Sequence, residues 1–534
     1  MLTSTTSLSP LGSRILTFAF QLASIEVTDD RAKKLTITHT QGWQTRDMAT
    51  SIKDIVLSNK RLNEILDIAN DWSLCHGISI LDSGDAENDG KKAITAPFSL
   101  FPSVVPAQIL RQAQKSMKHF NLLMHKVALD HSFLENSLKN VIQADDFMKH
   151  LWDIYLQVRE VGIKQPFHFG LFRNDFMMNC LKPISAGDLV TADQLELKQI
   201  EFNAISSSFA GLTEQISQLH RLTLRMVGKK FESQQLPENK AATGFAEGLA
   251  KAWELYGNAN AVILYIVSGN ERNVIDQRWL EFQLYETHPH ITVLRKTFLD
   301  INNLGVLDGN SVLTVNGMEV AVVYLRDGYT AENYSSEEEW NGRLKLELST
   351  AIKCPSIQYQ LMGSKKIQQE LARPGAVERF ISDASVVEDL RRTFADLYSL
   401  DLGPEGDEAV EKALASPEKF VLKPQREGGG HNLYSEDITK FFTLHRNSKQ
   451  REGYILMQRI FPWQQKNYLV KRGVPFQLSD VVSELGIYGV YIGSAEQEIA
   501  NYQCGHMMRT KITGTDEGGV VAGFAVLDTP FVID

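Results

Sequence analysis

The run V-I-L-Y-I-V at residues 262–267 places the tightest limit on what this chain can fold into. It offers no polar face to water and stops at Ser268-Gly269-Asn270, so it reads as a strand buried on both faces within a parallel sheet. A helix with Ile275, Trp279 and Phe282 on one side follows, then strand-like segments at 290–294 and 320–325, the second ending in R-D-G-Y. Residues 258–362 therefore read as an α/β unit, and ligands to such sheets sit beyond the carboxyl ends of the strands. Gln277, Arg326 and Tyr329 fall near those ends, although an ordinary β-turn also accounts for Asp327-Gly328.

A second stretch, F-V-L-K-P-Q-R-E-G-G-G-H-N-L-Y at 420–434, brings chemistry. Alternation puts Phe420 and Leu422 on one face of a short strand and Val421 and Lys423 on the other. Lys423 thus leaves the strand beside Gly428, Gly429 and Gly430, whose missing Cβ atoms let backbone N–H groups approach a bulky oxyanion. Glu427 repels such an anion unless a divalent cation lies between them, and hard oxygen ligands suit Mg²⁺. A Gly triplet alone is more often a surface hairpin flanked by solvated charges. Lys423, Glu427 and the glycines together shift the balance toward a nucleotide.

The remaining segments supply a scaffold. Helical spacing appears at 58–72 through Leu62, Ile65, Leu66 and Ala69, and a polar loop follows at 82–92. A longer helix begins after Ser103, with Pro106 in its first turn and Ile109, Leu110, Ala113, Met117, Phe120, Met124 and Val127 on one stripe. Another spans 145–161 and stops at Gly162. Strands are expected at 168–172, 197–203, 454–460 and 481–492. In the second of these Glu201 and Asn203 share a face, which suits a metal and equally an exposed antiparallel edge. The turn S-S-S-F-A-G at 206–211 suits an anion at a helix start, and Gly363-Ser364-Lys365-Lys366 opens a helix.

Length leaves room for roughly three domains. The formal net charge of −10 argues against a nucleic-acid binder, and no run reaches the ~18 apolar residues of a membrane helix. Cys75, Cys180, Cys354 and Cys504 show no paired or metal-ligand spacing, which fits a reducing compartment. Residues 1–50 read as an extension; their apolar patch at 15–23 is interrupted by Thr17 and Gln21 and no clear cleavage site follows. Neither a P-loop nor a dinucleotide fingerprint occurs.

Ordered motifs then point to a family: F-R-N-D-F-M (172–177), Q-I-E-F-N-A-I-S-S-S-F (199–209), E-R-N-V-I-D-Q-R (271–278), L-R-D-G-Y (325–329), S-K-K-I-Q-Q-E-L-A-R-P-G (364–375), the Gly-triplet stretch, S-E-L-G-I-Y-G-V-Y (483–491), and R-T-K with G-G-V-V-A-G near the end. Over residues 57–534 the chain resembles the eukaryotic-type glutathione synthetases, ATP-grasp ligases. The resemblance implies an α/β ATP-grasp fold: a body at 51–257 and 363–534, an inserted parallel-sheet substrate domain at 258–362, and a glycine-rich lid at 424–453. It further implies a cytoplasmic homodimer whose substrates are ATP, γ-glutamylcysteine and glycine.

By the same resemblance Glu201, Asn203 and Glu427 hold Mg²⁺. Lys365, Lys423, Lys511, Gly428, Gly429, Gly430, His431, Asn432 and Tyr434 bind ATP, with Met457, Gln458, Arg459 and Ile460 along the adenine and Glu484 and Glu517 nearby. Arg173, Ile205, Ser206, Ser207, Ser208, Glu271, Asn273, Gln277, Arg326 and Tyr329 fix the dipeptide. Arg509 meets both substrates as the catalytic cation, and Val520 and Val521 line the slot for the third amino acid. The chain departs from the family at several places: His431 replaces Asn, Gln458-Arg459 replaces an acid and a lysine, Glu517 beside Asp516 replaces Asp, and Val521 replaces Ala. The open alternatives are a sister ligase that adds β-alanine or serine, and a nucleotide-binding regulator without turnover.

Overall fold

The strand expected at 262–267 is Val262–Ile266, with every residue buried. Ile263 and Tyr265 pack into one apolar cluster, while Val262, Leu264 and Ile266 pack into another. Both faces are therefore covered by apolar side chains. The strand lies between parallel neighbours Val293–Lys296 and Met318–Leu325, and Ile352–Cys354 runs parallel on the far side of Met318–Leu325. Leu313–Val315 and Gly305–Leu307 complete this six-stranded sheet in antiparallel fashion. The strand expected at 290–294 starts later, at Val293, because residues 288–291 form a turn in which the Ile291 N–H donates to His288 O at 3.0 Å.

The computed structural model describes residues 58–82, 92–184, 188, 190–425 and 431–534. Residues 48–534 belong to one unit. The proposed extension at 1–50 and most of the polar loop at 82–92 lie outside the described residues. Among the described residues no helix is long and apolar enough to cross a membrane, and all four cysteines are unpaired.

A second sheet of seven strands is assembled from distant parts of the sequence. Its order is Gln465–Val470, Phe98–Ser99, Val526–Asp528, Glu498–Ile512, Leu478–Gly493, His168–Cys180, Leu195–Asn203. In its antiparallel core Arg173 faces Asn203 and Tyr488, Asp175 faces Glu201 and Gly486, Glu484 faces Arg509 and Met177, and Val482 faces Lys511. Partners in register project to the same side. One face consequently carries Arg173, Asp175, Glu201, Asn203, Glu484, Arg509 and Lys511.

The opposite face carries Phe172, Phe176, Phe202, Leu485, Ile487 and Met508, packed with Met117, Phe120 and Met124 of the helix Ala107–Leu129. That helix starts after a short strand, Ser103–Pro106, which puts Pro106 just before the first turn. The strand expected at 168–172 runs on to Cys180. Its polar R-N-D interrupts the apolar pattern only because two of those residues belong to the charged face.

A third sheet is antiparallel, in the order Leu397–Ser399, Tyr454–Gln458, Phe420–Pro424, Leu433–Tyr434. Leu422 and Leu456 pack against Val410 of the helix Pro404–Ala415 and Phe442 of the helix Ser435–His445. This fixes Val421 and Lys423 on the other side, as alternation requires.

The turn after Leu195–Asn203 is held from a distance. The helix Ala210–Met226 has no local side-chain cap. Asp276, from the helix Val274–Thr287, accepts instead from the N–H groups of Phe209 (2.7 Å), Gly211 (2.9 Å) and Leu212 (3.2 Å). Phe209 sits at φ +74° and Ser206 at φ +53°, a conformation that costs non-glycine residues about 1–3 kcal/mol and persists where its surroundings fix it. Asp276→Ala leaves three buried donors without a carboxylate, and we expect a loss of about 2–4 kcal/mol. Thermal unfolding of the variant checks this; an unchanged midpoint would remove the role assigned to this cap.

Candidate active site

The charged face of the seven-stranded sheet, the cavity side of the third sheet and the loop 513–522 enclose a cavity of about 460 Å³. Lys365, Lys423, His431, Asn432, Tyr434, Met457, Gln458, Arg459, Ile460, Glu484, Lys511 and Glu517 line it. So do Arg173, Ile205, Ser206, Ser208, Glu271, Asn273, Arg326, Tyr329, Val520 and Val521, together with Glu201, Asn203 and Arg509 of the sheet. Glu427, Gly428, Gly429 and Gly430 lie outside the described residues. Two expected residues do not line the cavity. The Ser207 hydroxyl donates to the Leu171 and Asn203 carbonyls, and Gln277 stands behind Glu271, donating to its Oε2 at 2.9 Å while accepting from Arg295.

Opposite charges are interleaved on the sheet face. Glu201 Oε2 lies 2.8 Å from Lys365 Nζ. Burial works against its ionisation, yet the charges of Lys365, Lys423 and Arg509 overcome this and hold its carboxyl well below the usual range. Burial is also the main influence on Lys423, which is pushed down to about 8, with Lys365 adding repulsion and Glu201 resisting. Its Nζ donates to the Ile200 carbonyl at 3.0 Å. Glu484 is lowered too: burial opposes this, and Arg509 (2.7 Å) and Lys511 (3.6 Å) outweigh it. The cavity thus holds several cations beside fewer carboxylates, a surplus suited to a multiply charged anion.

Asn203 tests the fit of a hard cation. Its Nδ2 donates to Asp175 Oδ2 (3.0 Å) and to the Arg173 carbonyl (3.2 Å), which leaves Oδ1 as its acceptor. Paired with the Glu201 carboxylate, this is an all-oxygen donor set of the kind Mg²⁺ takes. Among the described residues no three His, Cys, Asp or Glu side chains converge as a cage.

Arg326 Nη2 donates to Ser208 Oγ at 2.9 Å, and Ser206 Oγ donates to the Leu325 carbonyl at 3.2 Å. The strained turn is thereby tied to the carboxyl end of a parallel strand, where sheet ligands bind. The loop after Lys511 crosses the cavity: Asp516 pairs with Arg459 at 2.7 Å, and its carbonyl accepts from Lys511 Nζ (2.8 Å) and Tyr434 OH (3.2 Å). Asp516 and Glu517 both line the cavity. Met177, Phe209, Phe461, Pro462 and Gln464 line it as well and were not singled out from sequence. Met177 was discoverable by counting alternate residues on from Arg173.

The model of the eukaryotic glutathione synthase ATP-binding domain matches residues 59–532. Glutathione synthetase from Mus musculus is 44% identical over 91% of this chain and 100% of its own length. The Homo sapiens protein is 43% identical with the same coverage. The chloroplastic glutathione synthetase of Arabidopsis thaliana is 42% identical over 86% of this chain and 84% of its own. A solved glutathione synthetase-like effector of Globodera pallida, in its apo form, superposes with TM-score 0.71 at 25% identity, covering 91% of this chain and 100% of that one.

The Lys423 ammonium, depressed to about 8 by burial, sets an expectation for pH. An anion bound beside it raises its pKa, so binding takes up a proton above about pH 8 and affinity falls as pH rises further. Calorimetry of MgATP binding in two buffers of different ionisation heat, at pH 7 and pH 9, should show proton uptake only at the higher pH. Equal values at both would exclude Lys423 as an anion ligand.

Proposed function

Because the chain belongs to the eukaryotic glutathione synthetase family, we propose that it joins γ-L-glutamyl-L-cysteine to glycine through an acyl phosphate, releasing ADP and phosphate. The γ-phosphoryl group of ATP passes to the cysteinyl carboxylate; the glycine amine then attacks the acyl carbon and phosphate leaves. Both reactants of the first step are anions. One pair of unit charges ~4 Å apart repels by about 4 kcal/mol at an effective dielectric of ~20, so their approach requires fixed positive charge.

The observation that carries this reading is the lining of one cavity by Lys365, Lys423, Arg509 and Lys511 beside Glu201, Asn203 and Glu484. Lys365, Lys423 and Lys511 hold the triphosphate along one side, while Arg173, Ser206, Ser208, Arg326 and Tyr329 hold the dipeptide on the other. Arg509 lies between, ion-paired to Glu484 at 2.7 Å, and stabilises charge on the reacting carboxylate. Val520 and Val521 bound the slot for glycine. Glu201, Asn203 and Glu427 would hold Mg²⁺, which neutralises phosphate charge when bound. No side-chain nucleophile is needed, since positioning and electrostatics suffice for such a transfer.

In this reading the six-stranded sheet belongs to a substrate domain inserted at 258–362 in an ATP-grasp body. Residues 424–453 act as a lid that excludes water from the acyl phosphate. The enzyme works as a cytoplasmic homodimer; its unpaired cysteines support a reducing compartment.

Purified protein supplied with ATP and Mg²⁺ should release phosphate at a high rate only when γ-glutamylcysteine and glycine are both present. ATP bound without cleavage, whether or not the dipeptide and amine are present, would favour a regulator over a ligase. A panel of glycine, alanine, β-alanine and serine reads the Val520–Val521 slot; a preference for β-alanine or serine would reassign the third amino acid. Glu427→Ala is expected to lower kcat by about 10²–10³-fold with unchanged circular dichroism, and wild-type turnover in that variant would remove Glu427 from the metal set.

A further inference from the structure

Asp175 lies at the centre of the charged sheet face, 1% exposed. Its carboxylate accepts from Arg173 twice, Nε at 2.7 Å and Nη2 at 2.9 Å, from Asn203 Nδ2 at 3.0 Å and from Arg509 Nη2 at 3.0 Å. These donors come from three different strands: His168–Cys180 itself, Leu195–Asn203 and Glu498–Ile512. Gly486, opposite Asp175 in the register, makes room for this; a Cβ there would stand 2.7 Å from Asp175 Oδ1.

A buried carboxylate is costly to desolvate and is retained only where charge-assisted donors surround it. Here the donors are the groups assigned to opposite halves of the reaction. Arg173 faces the dipeptide, Arg509 the reacting carboxylate, and Asn203 the metal. Holding Nδ2 of Asn203 fixes the orientation of its amide, with Oδ1 left as the acceptor. Holding one Nη2 of Arg509 between Asp175 and Glu484 fixes the plane of that guanidinium.

We propose that Asp175 is the positioning residue of this active site: a single carboxylate that sets the orientation of Arg173, Asn203 and Arg509 together without touching substrate. The inference rests on the ligase reading above. A lost acceptor frees all three groups at once, and a misplacement of about 1 Å in such a site costs about 10²-fold in rate.

Asp175→Asn keeps the volume and removes the charge. We expect kcat to fall by about 10²-fold, the Mg²⁺ concentration for half-activation to rise by about tenfold or more, and KM for ATP to change by less than about threefold, since the lysines that hold ATP are not bonded to Asp175. Calorimetry without Mg²⁺ or nucleotide should show γ-glutamylcysteine binding weakened by about tenfold, a readout independent of turnover. In a double-mutant cycle with Arg509→Lys the losses in kcat should be strongly non-additive.

Three results would overturn the proposal: kcat within about twofold of wild type, losses that simply add in the cycle, or uniform loss of every ligand in step with a lower melting temperature. If Asp175→Asn does not fold, Asp175→Glu, which keeps the charge and moves it by one methylene, is read in the same way. Wild-type protein assayed in parallel separates the two readings. If it lacks amine-dependent ATP cleavage, the ligase reading fails, whereas a normal wild type with an unimpaired variant removes only Asp175.

Discussion

Mutual neutralisation of buried charges on one sheet face is the condition on which the rest of the molecule depends. Arg173, Asp175, Glu201, Glu484, Arg509 and Lys511 project from four neighbouring strands, with Lys365 and Lys423 reaching them from outside the sheet. None of these charges would survive burial alone, because an isolated ion loses several kcal/mol of hydration in a protein interior. Together they form a lattice of alternating sign with cations in excess. That excess is what an anionic pair of substrates meets.

The scaffold keeps this lattice in register. Antiparallel pairing aligns Arg173 with Asn203 and Glu484 with Arg509, and a slip of one residue would turn every charge into the apolar core on the other side. Phe172, Phe176 and Phe202 on that side, packed against the helix Ala107–Leu129, oppose such a slip. The six-stranded sheet, parallel at its centre and antiparallel at one edge, contributes differently. Its strand ends carry Arg326 and Tyr329, and Asp276, from the helix after Val262–Ile266, grips the turn that presents Ser206 and Ser208. Two layers with different hydrogen-bond patterns thus meet at one turn.

Several elements were legible from residue pattern alone. The run at 262–267 announced a strand covered on both sides, and the alternation of 420–423 separated Lys423 from the apolar face. Glu201 and Asn203 fell on one side of a strand by counting. The strand beginning at His168 was under-read, because an R-N-D sequence resembles a loop until its charges have partners. Asp175 was overlooked for the same reason: its motif was visible, but a carboxylate between an asparagine and a phenylalanine has no meaning until strands from two other parts of the chain supply the donors. Ser207 and Gln277 show the converse. Both sit in motifs that border the cavity, and local hydrogen bonds turn them away from it.

The sequence by itself determined the fold class, the family and the identity of most charged groups, since these follow from short-range periodicity and ordered motifs. Only the tertiary structure decided which charges meet. Residues 175 and 203, 28 positions apart, meet residue 509, 334 positions beyond Asp175, only through strand pairing, and the direction of each pKa shift depends on distances and burial that linear spacing does not contain.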